Sequence, residues 1–168
     1  MKKAAAIMGF LVVWLVVNPG LWSQDNDRAK LAKAVADAKV SLEKGLSASA
    51  PVGKPISAKF EIEDGELQLS VYTAKGDTFS EVLVDLSTGK VARTEPTTSG
   101  QDFATAKAQS EVMAKAKQSL TMALARVLKG NSGFRAVSIF PALKDGHPIA
   151  EVTITKGDEW KTVSEKLD

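Results

Sequence analysis

Residues 64–84 read Asp64-Gly65-Glu66-Leu67-Gln68-Leu69-Ser70-Val71-Tyr72-Thr73-Ala74-Lys75-Gly76-Asp77-Thr78-Phe79-Ser80-Glu81-Val82-Leu83-Val84. Asp64-Gly65 is a two-residue hairpin signal, because the turns that match the twist of paired strands favour residues tolerant of positive φ. Leu67, Leu69 and Val71 then alternate with polar residues, the pattern of a half-buried strand. Lys75-Gly76-Asp77 turns the chain again, into a strand around Phe79, Val82 and Val84. The stretch recurs. A shift of 81 residues without a gap lays Asp64-Gly65 on Asp145-Gly146, Val71 on Val152, Lys75-Gly76-Asp77 on Lys156-Gly157-Asp158, Phe79 on Trp160 and Val82 on Val163. The expected fold class is α+β, in two repeats, each a helix packed on a three- to four-stranded antiparallel sheet.

Upstream of the quoted stretch, Ala58, Phe60 and Ile62 alternate with polar residues and supply the strand that the Asp64-Gly65 turn closes. Before them, Leu31, Val35, Ala38 and Leu42 are spaced four, three and four apart on one helical face, beginning near Asp27. Gly45 or the loop-like Ser47 to Gly53 ends that helix. The second copy opens with a longer helix, Phe103 to Lys129, whose stripe is Val112, Ala116, Leu120, Ala123, Leu124 and Val127 and whose stop is Gly130-Asn131-Ser132-Gly133. The 81-residue shift carries Leu31 onto Val112, Val35 onto Ala116, Leu42 onto Ala123 and Leu46 onto Val127. The Ala/Lys-rich stretch from Ala104 to Lys117 reads as a solvated helix. Pro96, with the threonines, serine and glycine around it, marks residues 94–102 as a linker, so the expected organisation is 25–93, repeat 1; 94–102, linker; 103–168, repeat 2. Halves this small bury a marginal core and are expected to lean on one another.

Residues 1–24 have the order of a secretory signal peptide: Lys2 and Lys3, an apolar run from Ala4 to Val17, then Asn18-Pro19-Gly20 and polar residues. The run is shorter than the roughly 20 residues a membrane-spanning helix prefers. An exported protein, periplasmic or secreted, is the expectation; retention of residues 1–17 as an uncleaved anchor is the alternative, and it is the only membrane attachment foreseen.

The formal charge of +2 comes from Lys2 and Lys3, and from Asp25 onward acidic and basic residues balance. No basic face or basic-aromatic stripe marks a nucleic-acid binder. There is no cysteine, so disulfides and thiolate metal sites are excluded. His147 is the one histidine; it sits between Gly146 and Pro148 and reads as a surface turn residue, since metal and nucleophile chemistry need partners arranged around it. No catalytic, cofactor-binding or metal residue and no cofactor is assigned, and no enzyme activity is expected. A hydrolase built on His147 is the weakest reading. Phe79 and Trp160, at matching strand positions, read as core aromatics, with Trp160 the more exposed of the two.

Helix, strand, Asp-Gly turn, strand, Gly-Asp turn, strand, and then Val84-Asp85-Leu86-Ser87-Thr88-Gly89-Lys90-Val91 is an order that resembles the PepSY domain family. The resemblance covers residues 28–93 and, as a degenerate second copy ending at Glu165-Lys166-Leu167-Asp168, residues 104–167. It implies a non-catalytic module of exported bacterial proteins that binds a protein partner, with a peptidase to inhibit or modulate as the partner class. From the residues themselves, Asp85 to Lys90 is a turn in which Asp85 accepts backbone hydrogen bonds, Gly89 supplies positive φ and Val91 re-enters the sheet. Binding by a sheet surface or an edge strand is the expected mode, without partner residues assigned.

Overall fold

The structure, a computed structural model, describes residues 21–168, with side chains from Asn26 onward. The signal-peptide reading of residues 1–24 lies outside the described residues, apart from the backbone of 21–24. The fold is α+β. In chain order the elements are α1 (Leu21–Asp37), α2 (Leu42–Ser49), β1 (Lys54–Glu63), β2 (Glu66–Lys75), β3 (Thr78–Val84), β4 (Val91–Thr97), α3 (Gly100–Lys115), α4 (Leu120–Gly130), β5 (Arg135–Lys144), β6 (His147–Lys156) and β7 (Glu159–Lys166).

Both Asp-Gly turns form as read, with φ of 51° and 85° at Asp64 and Gly65 and of 52° and 83° at Asp145 and Gly146. They join β1 to β2 and β5 to β6 by two residues each. The sheets expected of the two repeats are continuous: the seven described strands form one antiparallel sheet in the order β4-β3-β2-β1-β5-β6-β7. Its seam is the β1–β5 pair, where Ala58 stands opposite Ile139 and Lys59 opposite Ser138. Ala58 and Ile139 are 81 residues apart, so each faces its own counterpart, as across a two-fold interface. A three- or four-stranded sheet ending at β1 would leave a row of unpaired backbone groups, and joining two such edges satisfies them.

Each predicted single helix is in fact two. Ser41 caps α2 by accepting a hydrogen bond from the Lys44 amide at 3.3 Å, and Ser119 caps α4 by accepting from the Met122 amide at 3.2 Å. The breaks let the chain change sides of the sheet. Gly45 of α2 lies against Leu69, whose neighbours across the strands, Phe60 and then Ala58, Val71 and Val82, share its face. On the opposite face Gln109 of α3 meets Ser57 at 2.7 Å and Phe103 of α3 meets Phe79 edge-on, centroids 5.6 Å apart. Arg28 of α1 lies over Trp160, on that same face. The molecule therefore has three layers, α2 and α4 on one side and α1 and α3 on the other. The sequence expectation of one covered face fails for β1, whose run Ile56-Ser57-Ala58 is buried on both sides.

The two long helices reach across the seam. Phe103 follows β4 yet packs on β3 of the first half, while Arg28 of the first half packs on β7 of the second. The ends of these helices are tied the same way. Lys54 Nζ donates to the Met113 carbonyl of α3 at 3.0 Å, and Arg135 donates to the carbonyls of Ala36 and Val40 at 3.5 and 3.4 Å. A cation at a helix C-terminus meets both orphan carbonyls and the negative end of the dipole. α3 is solvated along most of its length, with Ala106 and Met113 buried beneath it.

The helical register also differs from the 81-residue expectation. The buried residues Leu42, Gly45, Leu46 and Ser49 of α2 correspond to Leu120, Ala123, Leu124 and Val127 of α4, each 78 positions on. α4 has 11 residues against 8 in α2, and the three extra residues at its end restore the 81-residue offset of the strands. A hydrophobic stripe tolerates either alignment, because steps of three and four both keep one face. The supposed linker is shorter than 94–102, since β4 runs through Thr97 and α3 starts at Gly100.

Gly45 has a specific packing reason. A Cβ there would stand 2.7 Å from Leu69 Cδ2, whereas the matching positions of the second half hold Ala123 and Ala150. Gly45→Ala is expected to destabilise by about 1–3 kcal/mol through overpacking, despite the better helix propensity of alanine. Adding Leu69→Ala should cost less than it does in the wild type. Urea unfolding of the four members of the cycle checks this, and equal cost of Leu69→Ala in both backgrounds would refute the contact.

Candidate functional site

The seven described strands, from two similar halves, make an uneven sheet: among the described residues β4 has no counterpart beyond β7. The loop that leads into β4 is built on Asp85. Its carboxylate accepts from the Ser87 amide at 2.8 Å, the Ser87 hydroxyl at 2.6 Å and the Thr88 amide at 2.8 Å. The backbone closes the same loop, with the Gly89 amide donating to the Asp85 carbonyl and the Asp85 amide to the Lys90 carbonyl, both at 2.8 Å. Gly89 has φ of 70°, as the turn reading required. These donors, led by the Ser87 hydroxyl and then the Thr88 amide, hold the Asp85 carboxyl at about 2.

A carboxyl held below its usual value near 3.8 contributes stability that is present above that pH and lost as the pH falls towards 2. Asp85→Asn keeps an acceptor oxygen but cannot titrate, so its unfolding midpoint should fall less than that of the wild type between pH 4 and pH 2. Denaturant melts across that window check the sign, and parallel acid limbs would refute it.

Beyond the loop, β4 pairs among the described residues with β3 alone, from Phe79 opposite Thr97 to Val84 opposite Val91, and no described helix is laid along it. Five of its seven residues are exposed. Pro96 identifies which backbone groups point outward: proline in a sheet sits with its nitrogen on the open edge, and alternate residues share a direction. Thr94 therefore also presents its backbone outward. At the start of β4 lies a groove of about 640 Å³ lined by Glu63, Asp64, Glu66 and Asp85, with Arg93 as its one cation among the described residues. A larger groove of about 1000 Å³ lies between α1 and the β1–β2 hairpin, but its charges are of both signs: Asp27, Asp37 and Glu61 against Arg28, Lys30 and Lys33.

The residues singled out in the sequence fall as follows. Phe79 is buried and Trp160 half-buried. His147 opens β6 beside the turn, its side chain 69% exposed, with Nδ1 at 2.7 Å from a carboxylate oxygen of Asp168. That pair was not foreseen; the residues are 21 apart and meet because Leu167, fully buried, docks the C-terminus. The Leu167 carbonyl accepts from the amides of Lys117 and Gln118, and its amide donates to Pro148. The hydrogen bond from His147 lowers the pKa of Asp168. Tyr72, half-buried beside Glu81, has its hydroxyl pKa pushed up, first by burial and then by that carboxylate. Among the described residues no serine stands within hydrogen-bonding distance of His147, and no group of three or more His, Asp and Glu side chains is placed to hold a metal. No described helix is long and apolar enough to cross a membrane.

No protein-family model matches the chain, and no curated protein does. Among solved structures, a candidate lipoprotein from Clostridium difficile 630 is similar with a TM-score of 0.43 and 12% sequence identity, over 79% of this chain and 89% of that one.

Proposed function

We propose that the chain is a duplicated PepSY-like unit, exported and non-catalytic, that binds a protein partner along β4. The duplication is supported by strands that recur at 81 residues, helices that recur at 78 and a seam where Ala58 meets Ile139. Export rests on the residue order of 1–24, and the peptidase as partner class on the PepSY-like ending Val84 to Val91. The observation that carries the binding mode is β4 itself: an exposed edge strand, held in place by the Asp85 loop, with one side of its backbone unpaired among the described residues. An extended segment adds to such an edge through main-chain hydrogen bonds and gains selectivity from nearby side chains. Four carboxylates beside it favour a segment carrying basic residues, with affinity that weakens as salt screens them.

Affinity capture from an envelope extract tests this, using the wild type and Thr94→Pro side by side. The substitution removes an outward N–H while leaving the β3 ladder intact, so the fold survives and the captured partner should be lost. Equal capture by both proteins would remove β4 from the account. Repeated recovery of no partner by the wild type would sink the binding function.

A further inference from the structure

β7 is the other end of the sheet, and its chemistry differs from that of β4. It has no proline, so its whole outer side can take part in a ladder. Lys161, Val163 and Glu165 share the face covered by α4, as the 2.8 Å ion pair between Arg126 of α4 and Glu165 shows. Trp160, Thr162, Ser164 and Lys166 share the opposite face. Laid antiparallel on a second copy of itself with Val163 opposite Val163, this strand is self-complementary at every position from 160 to 166. Lys161 meets Glu165 twice, Thr162 meets Ser164 twice, and Trp160 meets Lys166 twice. Opposite charges directly across a ladder, hydroxyl pairs and a β-branched pair are the favourable cross-strand combinations, and a lysine beside an indole adds a cation–π contact.

We infer that β7 is a homodimerisation edge, on which a second copy of this chain pairs two-fold through Val163 to continue the sheet across both molecules. Two further observations favour a second copy as the occupant. Met122 lies four residues before Arg126 and so on the same side of α4, the side turned to β7. It is 56% exposed, the most exposed of the large hydrophobic side chains described, and a second copy would cover it. The seam inside the chain already uses the same geometry, with counterpart residues facing one another across an antiparallel pair. The ion pairs that Lys161 makes with Glu159 and Glu165 makes with Arg126 are partly exposed, so exchanging them for cross-strand pairs costs little. β4 does not offer this mode, because Pro96 interrupts its outward donors and its Arg93 and Glu95 already pair at 2.8 Å.

The absence of cysteine makes the register testable in the full-length chain in cells. Directly opposed residues of a ladder have Cα atoms about 4.5–5.5 Å apart, within disulfide reach. Under mild oxidation Val163→Cys should convert most chains to a disulfide-linked dimer. Thr162→Cys alone and Ser164→Cys alone should give only a trace, since each lies roughly 8 Å from its own copy. Co-expressed, Thr162→Cys and Ser164→Cys should crosslink to one another. Thr94→Cys on β4 should stay monomeric, and adding Lys161→Glu to Val163→Cys should largely abolish the crosslink. The proposal is overturned by Val163→Cys that remains reduced in folded protein, by crosslinking of Val163→Cys to a chain of different mass, or by dimer formed through Thr94→Cys instead. The mixed 162/164 pair keeps the test decisive if Val163→Cys disturbs folding.

Discussion

Expressed separately, residues 21–98 and residues 99–168 are each expected to lack a cooperative unfolding transition, and co-expression of the two is expected to restore it. The sequence reading places a linker at 94–102, where a cut separates the two copies, and expects two marginal halves that lean on one another. The structure gives three reasons for loss. The β1–β5 seam would become two open edges in the centre of what had been the core, with Ala58 and Ile139, both fully buried, brought to the surface. The long helices would lose their seats, because Phe103 packs on Phe79 and Arg28 on Trp160, each in the other half. The C-termini of α1 and α3 would lose Arg135 and Lys54, which also come from the other half. Halves of about 70 residues bury too small a fraction of their surface to absorb such losses. Near-ultraviolet circular dichroism and thermal scans of each half and of the mixture are the measurement. A cooperative melt from either half alone would show that the helix exchange is dispensable.

Leu124→Ala is expected to cost about 2–5 kcal/mol, a large part of the roughly 5–15 kcal/mol typical of a folded domain. Leu124 is fully buried, on the face of α4 that bears Leu120, Ala123 and Val127, and α4 covers β5, β6 and β7 while also touching α2 and β1. Because α4 packs against both halves, truncation of a fully buried leucine on its inner face is expected to leave a cavity that the surroundings fill only in part. Leu46→Ala, four residues into α2 and 78 positions earlier, should behave alike. A domain of this size loses about 2–4 °C of Tm per kcal/mol, so a calorimetric shift of roughly 5–15 °C is expected for each. A shift under a degree for both would mean that the face of the sheet beneath α2 and α4 is not the main core. The surface replacement Asp85→Asn, by contrast, should act chiefly on the acid limb.

The sequence by itself determined the local elements and their repetition. Two Asp-Gly pairs demanded positive φ and got tight hairpins; alternation fixed β1 to β3 and β5 to β7; Asp85, Thr88 and Gly89 specified a loop that closes on its own hydrogen bonds. These features are legible because each depends on a few neighbouring residues. Ser41 and Ser119, the caps that break the helices, were visible too, but the three-four stripe ran on through both breaks and concealed them, and the same degeneracy concealed the change from an 81- to a 78-residue offset. What only the tertiary structure decided is where the ends go. Alternation says which residues share a face but not which edge pairs with which, so one sheet rather than two, the crossing of α1 and α3 to opposite halves, and the meeting of His147 with Asp168 were not readable. The uneven edges follow from the missing counterpart of β4: joined at β1–β5, the described sheet ends in β4 on one side and in β7 on the other. There the side chains regain their say, through Pro96 on β4 and through Lys161, Val163 and Glu165 on β7.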